Sequence, residues 1–387
     1  MDYNSEFDEI RPFEGEEIPE AIKRLLKEER FKHAVIFAMP DVDYDKFSAR
    51  MLSYKNTYDF QRDLVSEFLF NMAERTTSSL SISGIENVSN KKSHTYISNH
   101  RDIVLDAAFF NILLLNRGKG FDTTEVAIGD NLLIYPWIKD FVKINKSFIV
   151  QRGVSKRQML EVSKRLSSYI HYTIKEKKRS VWIAQREGRA KDSNDRTQES
   201  LLKMLSLGGE GSFLENIRIL DITPLSISYE YDPCDFLKAK EFQLKRDDAE
   251  YRKQNIDDLQ NMETGLFGFK GNVRFHIGRP INPRLNTISP DMDKMAQVIA
   301  LGELIDNEIH KNYHIYPGNY VAYDMLYHNT SFADRYTREE KAVFEAHLEE
   351  CLNKIKIANK DVEFLTHKLL EMYANPLKNK LSAEKKG

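Results

Sequence analysis

The stretch YISNHRDIVLDAAFF (96–110) decides the fold. It opens as a short apolar strand, turns through a polar loop, and resumes as the apolar helix LDAAFFNILLLN (105–116). A strand that feeds a helix through a tight loop is the first half of a βα unit, so the segment predicts a parallel sheet. The same texture recurs on both sides. LSISGIENV (80–88) reads as a strand upstream, SFIVQR (147–152) as a strand downstream, and SKRQMLEVSKRLSSYIHYTIKEKK (155–178) as a long helix. The strands VWIAQ, LDITPLSISYEY and NVRFHIG follow. Strands alternating with helices predict an α/β fold with a mostly parallel sheet flanked by helices.

Helical spacing also marks both ends of the chain. Residues 19–38 and about 47–75 predict an N-terminal helical cap over 1–78, leaving 79–290 for the α/β domain. Beyond Pro283, helices at 292–313 and 338–357 and a Lys-rich tail predict a helical C-terminal extension over 291–387. Residues 233–270 are charge-rich between two strands and read as a helical excursion that shapes a pocket.

At 387 residues with 41% hydrophobic content, the chain is long enough for a large core. Its formal net charge of -2 supplies no general basic field, which argues against a nucleic-acid partner. Any phosphate or membrane contact must come from a local patch. The two cysteines, Cys234 and Cys351, show no metal-ligand spacing, so neither a metal site nor a disulfide framework is expected. The acidic opening MDYNSEFDEIRPFEGEE lacks the basic and apolar run of a signal peptide. The apolar runs at 107–115 and 131–138 are too short to span a bilayer, which takes about 20 residues. A cytoplasmic protein that meets the inner face of the membrane from the side is expected.

His100 stands where side chains gather at the carboxyl end of a parallel sheet, where such folds bind ligands. An imidazole held there by a carboxylate can remove a proton from a hydroxyl. Read alone, the segment is also that of a helix start, with Asp102 and Asp106 favouring its positive end. His-Arg-Asp is reminiscent of a kinase catalytic loop, but the required Asn is Ala107, and no glycine-rich loop, strand lysine or Asp-Phe-Gly triplet accompanies it.

The order of the later blocks resembles the glycerolipid acyltransferase superfamily, which includes glycerol-3-phosphate and lysophosphatidate acyltransferases. That family shows an Asn-His pair with a downstream Asp, then blocks similar to KSFIVQR (146–152), REGRAKD (186–192), PLSISYE (224–230) and GNVRFHIGRPI (271–281). The likeness runs from about Leu80 to Pro283. Two spacings depart from the pattern. Asp106 comes one residue later than the family places it, where Leu105 stands, and Glu187-Gly188-Arg189 has no residue between Gly and Arg. Asp106 is the first candidate to hold His100 and Asp102 the second.

The resemblance implies acyl transfer from acyl-CoA or acyl carrier protein to a hydroxyl of glycerol-3-phosphate or a lysophospholipid, with no cofactor beyond the acyl donor. His100 would act as general base, and the loop feeding the helix would offer backbone N–H groups to the oxyanion. Arg152 and Arg189 would grip the acceptor phosphate, with Lys191 as a weaker aid. Glu187 would orient the acceptor or tie down an arginine. Gly188 would let backbone approach the ligand, and Pro224 with Ser226 would line the floor. Lys146, Lys156, Arg157, Lys164 and Arg165 form a basic cluster, and Tyr135, Pro136 and Trp137 are candidate contacts to lipid headgroups. Two rival readings are a lyso-aminolipid O-acyltransferase and a catalytically idle lipid-binding protein on the same fold.

Overall fold

The computed structural model describes residues 6–117 and 120–385. Among these, seven strands form one sheet in the order β1-β7-β6-β2-β5-β3-β4. The strands are β1 Ser79–Ser83, β2 Thr95–Ser98, β3 Glu125–Gly129, β4 Ser147–Val150, β5 Val181–Ala184, β6 Ile222–Tyr229 and β7 Asn272–Ile277. Strands β6, β2, β5, β3 and β4 run parallel, while β7 joins β6 antiparallel and carries β1 parallel to itself. The fold is therefore α/β with a mostly parallel sheet, and its reversed edge is the β1–β7 pair.

The helices, in chain order, begin with α1 Glu17–Leu26, α2 Glu29–Ala38, α3 Tyr44–Ser53 and α4 Ser66–Thr76. Then come α5 Leu105–Arg117, α6 Pro136–Ile144, α7 Lys156–Lys175, α8 Glu199–Leu205 and α9 Phe213–Ile219. The series ends with α10 Asp235–Asp247, α11 Asn255–Phe267, α12 Lys294–Lys311, α13 Pro317–Leu326, α14 Arg338–Lys354 and α15 Val362–Lys385. None is long and apolar enough to cross a membrane.

Alternation along the strands sends side chains to two cores. Tyr96, Trp182, Leu225, Ile227 and Tyr229 face α5, where Phe109, Phe110 and Leu113 are buried. Ile97, Ile183 and Ile222 face the other way, toward α7, α8, α9 and α12. Full burial of an aliphatic or aromatic side chain contributes about 1.5–3 kcal/mol, which explains why α5 is apolar almost all round. Its packing follows the sheet, not an amphipathic stripe.

Both terminal extensions are helical, and each is tied to the sheet. The apolar spacing Ile18, Ala21, Ile22, Leu25 gives α1 one buried face, which packs with α3, Trp137 and Phe141. Upstream, Phe7 and Ile10 enter the sheet's own core, and the Ile149 N–H donates to the Ile10 carbonyl at 2.9 Å beside the edge strand β4. At the other end, α13, α14 and α15 share an apolar cluster with α10.

Three local expectations change. The helix over 19–38 divides at Lys27 and Glu28 into α1 and α2. The Lys-rich tail is the helix α15, with Leu365, Leu369, Tyr373 and Leu377 buried. Strand β3 was not foreseen because it opens on Glu125, a residue depleted in strands. Glu125 is fully buried, and Lys177 at 2.6 Å and Arg179 at 3.3 Å neutralise it, as a buried charge requires. Trp137 is packed against Phe31 and Tyr135 lies under the Arg30 guanidinium, so neither is a free lipid anchor.

Gly84 ends β1 with φ +78°, and a Cβ there would meet the Ile277 carbonyl oxygen at 2.1 Å. Both the left-handed backbone and the contact demand glycine. Gly84→Ala is expected to destabilise the fold by about 2 kcal/mol or more, read as a lower urea midpoint with an unchanged denaturant slope.

Candidate active site

The site begins where β2 ends. After Ser98 the main chain turns away, but the Asn99 amide takes its place on the sheet. Its Nδ2 donates to the Ile227 carbonyl at 2.8 Å, and its Oδ1 accepts the Ile227 N–H at 2.8 Å. A side chain thus extends the β2–β6 ladder by one rung and frees the backbone to present His100.

Asp102 and Asp106 then divide the work. Asp102 Oδ1 accepts the N–H groups of Val104 at 2.9 Å and Leu105 at 2.7 Å, which is the cap that starts α5. Asp106, in the first turn, turns back on the loop. Its Oδ2 accepts His100 Nδ1 at 2.8 Å, the Arg101 N–H at 2.6 Å and the Asp102 N–H at 3.1 Å. Asp106 is therefore the partner of His100 and Asp102 is not. The residue added to the family spacing lies in the loop before α5, so it does not rotate the helix and its carboxylate still reaches the ring.

This pairing fixes the tautomer. With Nδ1 donating to Asp106, Nε2 carries the lone pair, and among the described residues it has no hydrogen-bond partner. Trp182 packs edge-on against the ring, centroids 5.9 Å apart. Tyr229 reaches the same place from β6, and burial, then the charges of Asp106 and Asp102, push its phenol well above the ordinary tyrosine range. Four N–H groups of the loop, those of Arg101, Asp102, Val104 and Leu105, are spent on the two aspartates. They are not available to an oxyanion, contrary to expectation.

Arg101 points inward and anchors the loop. Its guanidinium forks onto Asp195 at 3.1 and 2.7 Å, and Asp195 also accepts the Tyr313 hydroxyl at 2.6 Å. His310 of α12 bonds the Asp195 carbonyl through Nε2 at 2.9 Å. The sequence reading missed Asn99, Arg101 and Asp195. Asn99 had a signal in the Asn-His pair, whereas Arg101 and Asp195 stand too far apart in sequence to be linked.

The predicted ligand-binding residues separate into two groups. Arg152, two residues beyond β4, and Glu187, three beyond β5, meet across the end of β3 at 3.4 Å. Arg152 is one-third exposed, and its N–H donates to Asp130 at 3.1 Å. Both lie at the carboxyl ends of strands on the same side of β2 as the sheet's β5–β3–β4 half. Arg189 and Lys191 are engaged elsewhere. Arg189 Nη2 donates to Asn261 of α11 at 2.8 Å, while its buried Nη1 and Asp102 Oδ2 have no hydrogen-bond partner. Lys191 pairs with Glu241 of α10, and burial pushes its amine down to about 8.

Gly188 has φ +68° with open space beside it, so its left-handed backbone serves the turn. Pro224 is buried inside β6, level with Ile97 and short of the strand end. Ser226 Oγ donates to the Ile309 carbonyl on the face away from Trp182, so neither lines the site's floor. In the basic cluster, Lys146 is buried on Asp122 and Thr123, and Arg165 pairs with Glu9 and Gln151; the Lys156 side chain lies outside the described residues. Helix α11 of the excursion lies over Asp102, whose Oδ2 would be 2.0 Å from a Cβ at Gly265. Two surface concavities of about 350 and 310 Å³ are bordered by residues of the N-terminal segment, the second also by Lys146 and Arg179. None of the His100 site's residues lines them.

Comparison with known proteins agrees on the segment. Residues 79–208, from β1 through α8, match the acyltransferase family. No curated protein sequence matches the chain. Among solved structures, the 1-acyl-sn-glycerophosphate acyltransferase PlsC of Thermotoga maritima is similar at 11% identity, with a TM-score of 0.34. The alignment covers 76% of this chain and 95% of that one, and no residue is assigned from it.

The Asp195 anchor makes the loop sensitive to acid. Burial pushes His310 down to about 4, below its ordinary 6.5, so the neutral ring's contribution is complete above about pH 6.5 and is lost as pH falls through about 4. The gap corresponds to on the order of 3 kcal/mol. His310→Gln, which keeps a donor for the Asp195 carbonyl, is expected to flatten the pH dependence of chemical unfolding between pH 6.5 and 4.

Proposed function

We propose that this chain is a glycerolipid acyltransferase, as the match of residues 79–208 to the acyltransferase family supports, and that His100 is the general base for acylation of a phosphate-bearing lipid precursor. The observation that carries this reading is the Asp106–His100 pair at the carboxyl end of β2, with Nε2 free to receive a proton. The donor is an acyl thioester of coenzyme A or acyl carrier protein, and the acceptor is glycerol-3-phosphate or a lysophospholipid.

The steps follow from the tautomer. Nε2 takes the proton of the acceptor hydroxyl as its oxygen attacks the thioester carbonyl carbon. Asp106 stabilises the imidazolium that forms. Collapse of the tetrahedral intermediate breaks the C–S bond, and the thiolate leaves with the proton from Nε2. No acyl-enzyme is needed. Arg152 is the phosphate ligand in this reading, since it is partly exposed at the carboxyl end of the sheet and its only ion-pair partner among the described residues is Glu187 at a loose 3.4 Å. An incoming phosphate exchanges that partner for a bidentate one. Arg189, held by Asn261, orders the cover over the site.

We also propose that the protein works at the inner surface of the membrane. Phe37 and Ile36 at the end of α2 are exposed, Phe37 packs on Phe267 at the end of α11, and Phe269 is exposed two residues later. These apolar side chains beside the cover would dip into the headgroup region where the lipid product leaves.

The test is thiol release from acyl-CoA or acyl carrier protein thioester in the presence of glycerol-3-phosphate or lysophosphatidate. His100→Ala is expected to lower kcat by about 10² to 10⁴. Arg152→Ala should raise the acceptor KM by about tenfold or more with a smaller effect on kcat. Unchanged turnover in His100→Ala would refute the assignment, and preference for a lyso-aminolipid acceptor would replace the phosphate by a carboxylate.

A further inference from the structure

Far from His100 in sequence, four polar side chains converge between α10, α14 and α15. Asp235 opens α10, His347 and Cys351 stand one turn apart on α14, and Tyr373 comes from α15. The donor atoms of Asp235, His347 and Cys351 all lie within 4.8 Å of one another. Asp235 Oδ2 is 2.8 Å from His347 Nε2, and Cys351 Sγ is 3.2 Å from both Asp235 oxygens and 3.5 Å from Nε2. Asp235 is 2% exposed and Cys351 1%.

Without an ion, the Asp235 carboxylate accepts from the His347 ring, the Cys351 thiol and the Tyr373 hydroxyl, so all three donors converge on one buried anion. A ring nitrogen has a single bonding direction, either one proton or one lone pair. Yet three polar atoms crowd His347 Nε2: Asp235 Oδ2, Cys351 Sγ and the Tyr373 hydroxyl at 3.0 Å. Only one of them can be its hydrogen-bond partner. A single cation at their centre would take the ring nitrogen, the carboxylate and the thiolate as ligands at once.

We propose that Asp235, His347 and Cys351 bind a divalent transition-metal ion of the zinc type. A tetrahedral zinc with Zn–N and Zn–O near 2.0–2.1 Å and Zn–S near 2.3 Å sets its ligand atoms about 3.3 to 3.6 Å apart. The sulfur already stands at that spacing from nitrogen, and the carboxylate needs to move by about half an ångström. One thiolate, one imidazole and one carboxylate favour zinc over magnesium or calcium, which take oxygen ligands. The Cys351 thiol gives up its proton when the ion binds. Tyr373 completes the surroundings: its hydroxyl donates to Asp235 Oδ2 at 2.7 Å and accepts the Asp232 N–H at 3.2 Å. It stands as the fourth ligand or as the group that orients the carboxylate. The His347 side chain, 21% exposed, marks the way in.

The site is structural and independent of the acyl-transfer reading. It staples the start of α10 to the C-terminal helices. Cys234, next to Asp235, donates to the Asn261 carbonyl at 3.3 Å, and Asn261 holds Arg189. The ion would thereby fix the cover above the His100 loop.

The full chain, purified without a metal-affinity tag and stripped with chelator, is titrated with Zn²⁺ and with Co²⁺. One equivalent is expected, with the visible bands of tetrahedral cobalt and a thiolate charge-transfer band, and zinc should raise the unfolding temperature by several degrees. Cys351→Ser and His347→Gln should each weaken Co²⁺ binding by about 100-fold or more, while Cys234→Ser keeps the thiolate band. That last variant decides the matter even if the α14 variants do not fold, because the chain has only two cysteines. No uptake by the wild-type chain, a cobalt spectrum without a thiolate band, or loss of that band in Cys234→Ser overturns the proposal.

Discussion

One carboxylate oxygen, Asp106 Oδ2, organises the candidate active site. It gathers the His100 ring and two successive backbone N–H groups, all within 3.1 Å. A carboxylate at 1% exposure is costly unless it is paired; these three donors on Oδ2, with the first turn of α5, offset that cost, while Oδ1 has no hydrogen-bond partner among the described residues. The dependence runs both ways. The loop holds its shape because it wraps the charge, and the ring keeps one tautomer because the charge faces Nδ1.

Around that oxygen the supports come from distant parts of the chain. Asn99 fastens the loop's first residue to β6, Asp102 fixes the start of α5, and Arg101 ties the loop to Asp195 and through it to Tyr313 and His310. Hydrogen-bonded supports of this kind fix the His100 ring within a narrow geometry, which the proton transfer proposed for it demands. The helices at the carboxyl end of the chain thus take part in placing His100 without touching it.

Much of this was legible in the sequence wherever a feature is local. The strands through Ile97 and Ile149, the helix after Asp102 and the strand after Leu220 each announce themselves by a run of apolar residues and a polar break. The excursion at 233–270 was legible from its charge. What escaped was long-range pairing. Glu125 hides a strand because its neutralising partners, Lys177 and Arg179, lie more than fifty residues on. Arg189 reads as a free phosphate ligand until Asn261, 72 residues later, is seen to hold it. The choice between Asp106 and Asp102 likewise rested on where the helix begins, and sequence-based boundaries are uncertain by a few residues. Cysteine spacing gave no hint of the cluster at Cys351, since Asp235 stands 116 residues before it.

The connection between β6 and β7 has a further implication. These strands are antiparallel neighbours, with Tyr229 level with Val273 and the Glu230 N–H bonded to the Asn272 carbonyl. A turn of a few residues would suffice to join them. Instead the chain departs, builds α10 and α11, and comes back to the place it left. Such a loop is modular: its length and composition can vary across descendants with little cost in closure entropy and without shifting a strand. The loop that carries His100 and the helices over it are then free to diverge separately, so the geometry around the ring stays fixed while its cover changes.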